Sequence, residues 1–257
     1  QSMKDLHEDL RRNKNRFHPN ISLRKYGITA DCPRSDESAE LFINEDQYIS
    51  SVAQKKIDSV FEANNKLVSM VKDVLENRFT FTDEIDFLGQ IESESNYIAT
   101  VHIDGNGMGK RFAAANSLSG LRKLSSSVNK ATQDSFAEMT KYLVDLIDQK
   151  RLTEENGFKF SKENGKIILP MMPIIIGGDD ITFVCHGKLG LILASKFISF
   201  LENKEVSDKK KLTACAGVCI AKSKYPFYRS YLLAEELTSI AKNESRKNDG
   251  SSYLDFH

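Results

Sequence analysis

The stretch that most constrains the fold is Pro173 to Val184, PIIIGGDDITFV, in which two short apolar runs are joined by Gly177, Gly178, Asp179 and Asp180. The runs are β-branched and aromatic, so they read as two buried strands, and the Gly-Gly step offers the positive φ angles of a tight hairpin corner. Two carboxylates then stand at the tip. Adjacent carboxylates repel, so placing both at a dry corner costs stability unless water, a cation or a basic partner compensates. A divalent metal meets that need; an ordinary solvated hairpin is the plainer alternative.

Composition names no partner. The 257 residues carry 36 basic and 36 acidic side chains, so no overall field draws the chain to nucleic acid or to an anionic membrane. With 40% hydrophobic and 28% charged residues it has the balance of a globular protein able to bury a real core. Cys32, Cys185, Cys215 and Cys219 form no CxxC pair, and the last three lie in apolar runs, which reads as reduced core cysteines in a cytoplasmic protein. No apolar run approaches the roughly 18 residues of a membrane span, and no signal-peptide pattern opens the chain, so neither membrane insertion nor export is expected.

Residues 1–95 read as a mainly helical N-terminal region. Met3 to Arg16 forms a charged helix with Leu6 and Leu10 on one stripe, the pattern breaks around Pro19, Gly27 and Pro33, and a helical period resumes from Tyr48 to Leu75. The acidic, polar segment Asp83 to Asn96 marks a boundary before a second domain at 96–257.

That domain opens with a strand, Tyr97 to Asp104, followed by the turn Gly105-Asn106-Gly107-Met108-Gly109-Lys110. A strand ending in an acid, then a glycine-rich turn, then a helix lets backbone N–H groups and a helix start face a phosphate; a plain strand-to-helix connection is the alternative. Asp104 is a third acid. Leu118 to Lys150 predicts one long helix or a broken pair, and polar Glu154 to Lys166 leads back to the hairpin. Then come a helix at Lys188 to Asn203, a strand at Leu212 to Ala221, a helix at Tyr228 to Lys247 and a short strand at Ser252 to Phe256.

The order β-α-β-β-α-β-α-β predicts an α+β, ferredoxin-like core with a mostly antiparallel sheet and helices on one face, extended by a helix and a strand. A right-handed β-α-β unit is expected to set the first strand beside the one carrying Ile174 to Ile176, which brings Asp104 near Asp179 and Asp180. Three converging carboxylates suit Mg²⁺, which favours a few carboxylates plus substrate phosphates.

Four blocks in this order, IDGNGMGK (Ile103 to Lys110), PIIIGGDD (Pro173 to Asp180), AGVCIAKSKYPFYRSYLLAEELTSIAK (Ala216 to Lys242) and LDF (Leu254 to Phe256), resemble the polymerase-cyclase palm domain of the large subunit of type III CRISPR effector complexes, itself similar to GGDEF diguanylate cyclases. The resemblance implies that Asp104, Asp179 and Asp180, with the Ile103 carbonyl, hold two divalent ions, Mg²⁺ or Mn²⁺. It also implies that Gly105, Asn106, Gly107, Lys110, Gly177 and Gly178 lie against a nucleotide and that Lys242 contacts its triphosphate. From the residues themselves, Lys242 clusters with Arg246 and Lys247 near a helix end, where interaction with the helix dipole explains them equally well. Lys222 and Lys224, beside Tyr225 and Pro226, either line the same cleft or form a solvated loop, and His102, on the strand close to the site, reads as a satisfied core histidine.

The implied reaction is nucleotidyl transfer from ATP to a cyclic oligonucleotide with release of pyrophosphate; a catalytically silent nucleotide-binding palm is the alternative. The family's large subunit has two palms and usually a zinc region, whereas this chain shows one palm-like order. The resemblance therefore implies a piece of a larger protein or a reduced relative, active as a homodimer or with a second palm-containing chain, in a CRISPR-like complex.

Overall fold

The computed structural model describes residues 3–14, 30–35, 37–44, 47–91 and 96–257. Asn15 and Arg16 of the expected first helix, most of the loop that follows, and residues 92–95 of the acidic boundary lie outside the described residues. The chain divides into two compact units, Gln1–Ser69 and Met70–His257. The second unit thus begins well before residue 96, and residues from the expected helical region pack with the later strands.

In the first unit, α1 spans Met3–Lys14, β1 (Leu41–Asn44) pairs antiparallel with β2 (Gln47–Ile49), and α2 runs Ser51–Met70. Tyr48 and Ile49, expected in the helix, are strand residues. The helix starts after them because the Ser50 hydroxyl accepts the Ala53 N–H at 3.2 Å, an N-cap bond that ends the extended segment. Cys32, Ile49 and Ala53 form a small core with Ala39 and Ile57. Most of the apolar stripe on α2 stays exposed, Phe61 at 75%.

The second unit opens with α3 (Lys72–Leu75) and β3 (Phe79–Thr80). Next come β4 (Tyr97–Gly105), a short α4 (Met108–Ala113) and α5 (Leu118–Asp148), one unbroken helix of 31 residues. Ser117 caps α5 by accepting the Gly120 N–H. The segment read as a polar return loop contains a hairpin, β5 (Lys162–Glu163) and β6 (Lys166–Ile168), turning at Asn164 and Gly165, both with positive φ. β6 also pairs parallel with β3, giving a small three-stranded sheet.

The main sheet follows with β7 (Met171–Gly177), β8 (Asp180–His186), β9 (Ala214–Lys222) and β10 (Tyr253–Phe256), with α6 (Gly190–Glu202) and α7 (Phe227–Lys247) between them. Its order is β10-β9-β4-β8-β7, antiparallel throughout except for the β10–β9 pair. The expectation that β4 lies beside the Ile174–Ile176 strand is corrected. In this split β-α-β arrangement the strand after the corner, β8, inserts between β4 and β7.

β7 is accordingly an edge strand and not a buried one, with Ile174 and Ile175 about 40% exposed. Pro173, which has no N–H to give a ladder, and the register shift just after it suit an edge. The corner itself is two residues, Gly178 and Asp179, closed by the Gly177–Asp180 pair, and only Gly178 has positive φ, 63°.

Side chains alternate across β4. Ala99 faces Gly190 of α6, while its neighbour Thr100 hydrogen-bonds Ser230 of α7 at 3.0 Å. Helices α5 and α6 therefore share one face, as a ferredoxin-like core requires, and the added helix α7 covers the other. Phe136, Met139, Leu143, Phe183, Phe197 and Ile103, all at most 1% exposed, form the core between α5, α6 and the sheet. The four cysteines are buried and free. No helix among the described residues is long and apolar enough to cross a membrane.

Candidate functional site

The sheet register sets the site. Asp104 at the end of β4 lies directly opposite Asp180 at the start of β8, and His102 lies opposite Thr182. Directly opposed side chains of an antiparallel pair stand about 5 Å apart at Cβ, close enough for two carboxylates to repel. Asp179 occupies the corner from the other side of β4. A Cβ added to Gly105 would come 2.8 Å from the Asp179 Cβ, so this carboxylate fills the space that a side chain at 105 would need. The Asp179 carbonyl accepts the Gly105 N–H at 3.0 Å, tying the corner to the end of β4.

Lys242 reaches this corner through matched repeats. The Thr238 hydroxyl donates to the His102 carbonyl at 3.1 Å. One helical turn on, about 6 Å, Lys242 meets Asp104, which is two residues on, about 7 Å, along the strand. The Lys242 ammonium pairs with Asp104 Oδ2 and donates to the Gly105 carbonyl at 3.3 Å. Helix α7 can lie this close because Gly217 on β9 has no Cβ; one there would fall 2.0 Å from the Ala234 carbonyl oxygen.

Asp180 is less well compensated. Its Oδ1 is buried without a hydrogen bond, and the His102 Nδ1 lies 3.4 Å away, already sharing a 3.0 Å hydrogen bond with Thr182 Oγ1. Tyr231 packs edge-on against the His102 ring, and its hydroxyl donates to Glu235. Burial pushes the Asp180 carboxyl above the usual range; nearby His102 opposes this, Asp104 and Asp179 add to it, and Lys242 opposes it. Asp179 is also pushed up by burial first, with the Asp104 charge adding and a backbone N–H and Lys242 opposing.

A pH effect on stability follows. In the window between the unfolded carboxylate pKa, about 4, and the raised folded values, the folded protein binds more protons than the unfolded chain, so these groups lose stability as pH rises. Relative to Asp179→Asn/Asp180→Asn, the wild type is expected to weaken from about pH 4 upward and the difference to level off above the raised pKa values. Urea unfolding of both proteins across a pH series measures it, and a pH-independent difference would contradict the shift.

Not every glycine-turn residue faces the acids. The Asn106 amide donates to the carbonyls of Gly250 and Ser251 and to Thr213 Oγ1, fastening the turn to the segment before β10. Gly107 opens α4 with φ of 66°, and Lys110 is exposed on that helix. The Gly178 N–H donates to Asn129 Oδ1 at 3.1 Å and its carbonyl accepts the Thr132 hydroxyl at 2.7 Å, both from α5. Gly177 has open space above it. Arg246 bonds Asn243 and Lys247 pairs with Glu244, as solvated helix residues do, while Lys222 and Lys224 lie toward solvent.

His102, read as a core histidine close to the site, is buried and stands beside Asp180. One contribution was not legible in the local sequence: Asn129 and Thr132 hold the corner from a helix read only for its apolar stripe. Among the described residues no group of three or more His, Cys, Asp or Glu stands in metal-binding geometry. The arrangement is a facing carboxylate pair with a third acid round the corner and an ammonium on one member. An all-oxygen donor set with one buried carboxylate oxygen that accepts no hydrogen bond fits a hard divalent cation better than a soft one.

A split β-α-β sheet carrying acids at the end of its first strand and at its hairpin corner defines a palm domain. Residues 97–250, more than half of the chain, match the family described as Cas10/Cmr2, second palm domain, and the chain belongs to that family. Among solved structures it is similar to a chain of the Csm1–Csm4 cassette in complex with AMPPNP, at 17% identity over 59% of this chain and 20% of that one, with a TM-score of 0.43. It is also similar to the active GGEEF domain of a diguanylate cyclase from Vibrio cholerae, at 13% identity over 63% of this chain and 83% of that one, with a TM-score of 0.39. The chain spans about one fifth of the length of the Csm1–Csm4 chain it matches. No curated protein matches it.

Proposed function

We propose that the chain catalyses metal-dependent nucleotidyl transfer, making a cyclic oligonucleotide from a nucleoside triphosphate, with ATP the substrate that the family suggests. The observation that carries this reading is the Asp104–Asp180 pair, opposed across β4 and β8 with Asp179 at the adjoining corner and an Asp180 oxygen left without a hydrogen bond. A retired site has no need to keep carboxylates that repel each other, with Asp179 and Asp180 pushed up by burial.

Asp104, Asp179 and Asp180, with the Ile103 carbonyl, would hold Mg²⁺ or Mn²⁺. When bound, the cations would make the attacking 3′-hydroxyl more acidic and neutralise charge on the α-phosphoryl group. The hydroxyl oxygen bonds to the α-phosphorus, the bond to the β-phosphate bridge breaks, the hydroxyl proton passes to water, and pyrophosphate departs. Lys242, paired with Asp104, would turn to the departing phosphates. His102, fixed by its hydrogen bond to Thr182, stands 3.4 Å from the Asp180 carboxylate. Nothing lies within 4 Å of where a Cβ at Gly177 would stand, so no neighbouring group would block a nucleotide's approach to that position.

One palm presents one set of acids, while ring closure needs each nucleotide's hydroxyl delivered to another's phosphate. A second copy of this chain or another palm-bearing chain would supply the facing site, in a CRISPR-type effector assembly as the family implies. The test is incubation with each of the four nucleoside triphosphates and Mg²⁺ or Mn²⁺, following pyrophosphate release and identifying products by mass spectrometry. A cyclic product establishes the reading. Metal-dependent nucleotide binding without any product, at concentrations that drive self-association, would replace it with a silent nucleotide-sensing palm.

A further inference from the structure

We propose that Asn129 and Thr132 of α5 are positioning residues that fix the acidic corner for cation binding, an inference that rests on the nucleotidyl-transfer reading of the site. A two-residue hairpin loop closes through its own strands, here by the Gly177–Asp180 pair, and the main-chain groups at its exposed tip are ordinarily left to water. Here both are taken by one helix. Asn129 and Thr132, three residues apart and so on one face of α5, bind the N–H and the carbonyl of Gly178.

The position matters because Gly178 directly precedes Asp179. With no Cβ, positive φ and nothing within 4 Å of where a Cβ would stand, Gly178 has the most backbone freedom in the corner apart from its bonds to α5. Turning the peptide between residues 178 and 179 would swing the Asp179 carboxylate away from Gly105. The Thr132 hydroxyl holds the carbonyl of that same peptide, and the following carbonyl, that of Asp179, is held by Gly105. Asp179 is thereby tethered on both sides. The anchor is firm: Thr132 is 1% exposed, and its neighbours Val128, Ala131, Ser135 and Phe136 are buried. Groups that orient ligand carboxylates commonly change metal affinity when removed, even though they never touch the metal.

The experiment titrates Mn²⁺ into the full chain by electron paramagnetic resonance and follows ATP turnover in parallel. The variants are Asn129→Ala, Thr132→Val, the two combined, Thr132→Ser and Asp179→Ala/Asp180→Ala, each with a thermal melt. Thr132→Val keeps the side-chain shape while removing the donor, and Thr132→Ser keeps the donor, so fold and clamp are separable. The combined variant is expected to bind Mn²⁺ about tenfold more weakly, with kcat falling in step and KM for ATP nearly unchanged, while Thr132→Ser stays within about twofold of wild type. Unchanged Mn²⁺ affinity in the combined variant, with binding lost in Asp179→Ala/Asp180→Ala, overturns the clamp and leaves the site reading standing. Unchanged affinity in Asp179→Ala/Asp180→Ala overturns the site reading, and the clamp with it.

Discussion

Asp179→Ala/Asp180→Ala is expected to lose turnover by about 10³-fold or more while folding as well as the wild type. In the proposed nucleotidyl transfer the carboxylates would hold cations where charge develops, so their removal would take away the largest source of transition-state stabilisation. In the metal-free fold the same groups are a burden, since Asp180 opposes Asp104 across the ladder and both corner acids are pushed up by burial. Removing like charges from opposed strand positions is worth up to about 1 kcal/mol, so the variant should match or slightly exceed wild type in urea unfolding. Retained pyrophosphate release would sink the assignment of these acids; a large loss of stability would show that they have a structural role.

The second large effect is on the fold. Gly217→Ala is expected to destabilise the protein by about 3 kcal/mol, at the upper end for an overpacked core, because the new methyl meets helix backbone and not a side chain that can turn aside. A Cβ there would lie 2.0 Å from the Ala234 carbonyl oxygen and 2.6 Å from the Thr238 nitrogen, so α7 itself must move. Moving α7 also draws Lys242 from Asp104 and Thr238 from the His102 carbonyl, so any nucleotidyl transfer should fall with stability. Gly177→Ala is the control: nothing lies within 4 Å of the added methyl, and it should stay within about 0.5 kcal/mol. Denaturant unfolding of the two variants beside wild type measures the contrast, and equal stabilities would remove the close-packing argument.

The palm was legible in the sequence because its signals are short-range. The β-branched runs flanking Gly177 to Asp180, the acid ending Tyr97–Asp104, and the helical periods of α5, α6 and α7 each lie within one element. Other local signals were present but outweighed: Asn164-Gly165 is a hairpin turn pair, yet the polar residues around it read as loop, and Ser50 is a good helix cap that the apolar period ran through. The apolar content of Pro173 to Ile176 pointed to a buried strand, but burial is a property of the neighbours, and among the described residues β7 has a strand partner on one side only.

What the sequence by itself determined is which groups the palm can use: three acids, a glycine corner and a lysine on a helix, at spacings set by periods of about 2 and 3.6 residues. Only the tertiary structure decided which of them meet. The insertion of β8 between β4 and β7 set Asp180 opposite Asp104, the close packing of α7 at Gly217 delivered Lys242, and one face of α5 gave Asn129 and Thr132 to the corner. The physical reason is that periodicity selects a face within each element, whereas partners such as 104 and 180, or 132 and 178, are joined by burial and register between distant segments, which no local pattern specifies.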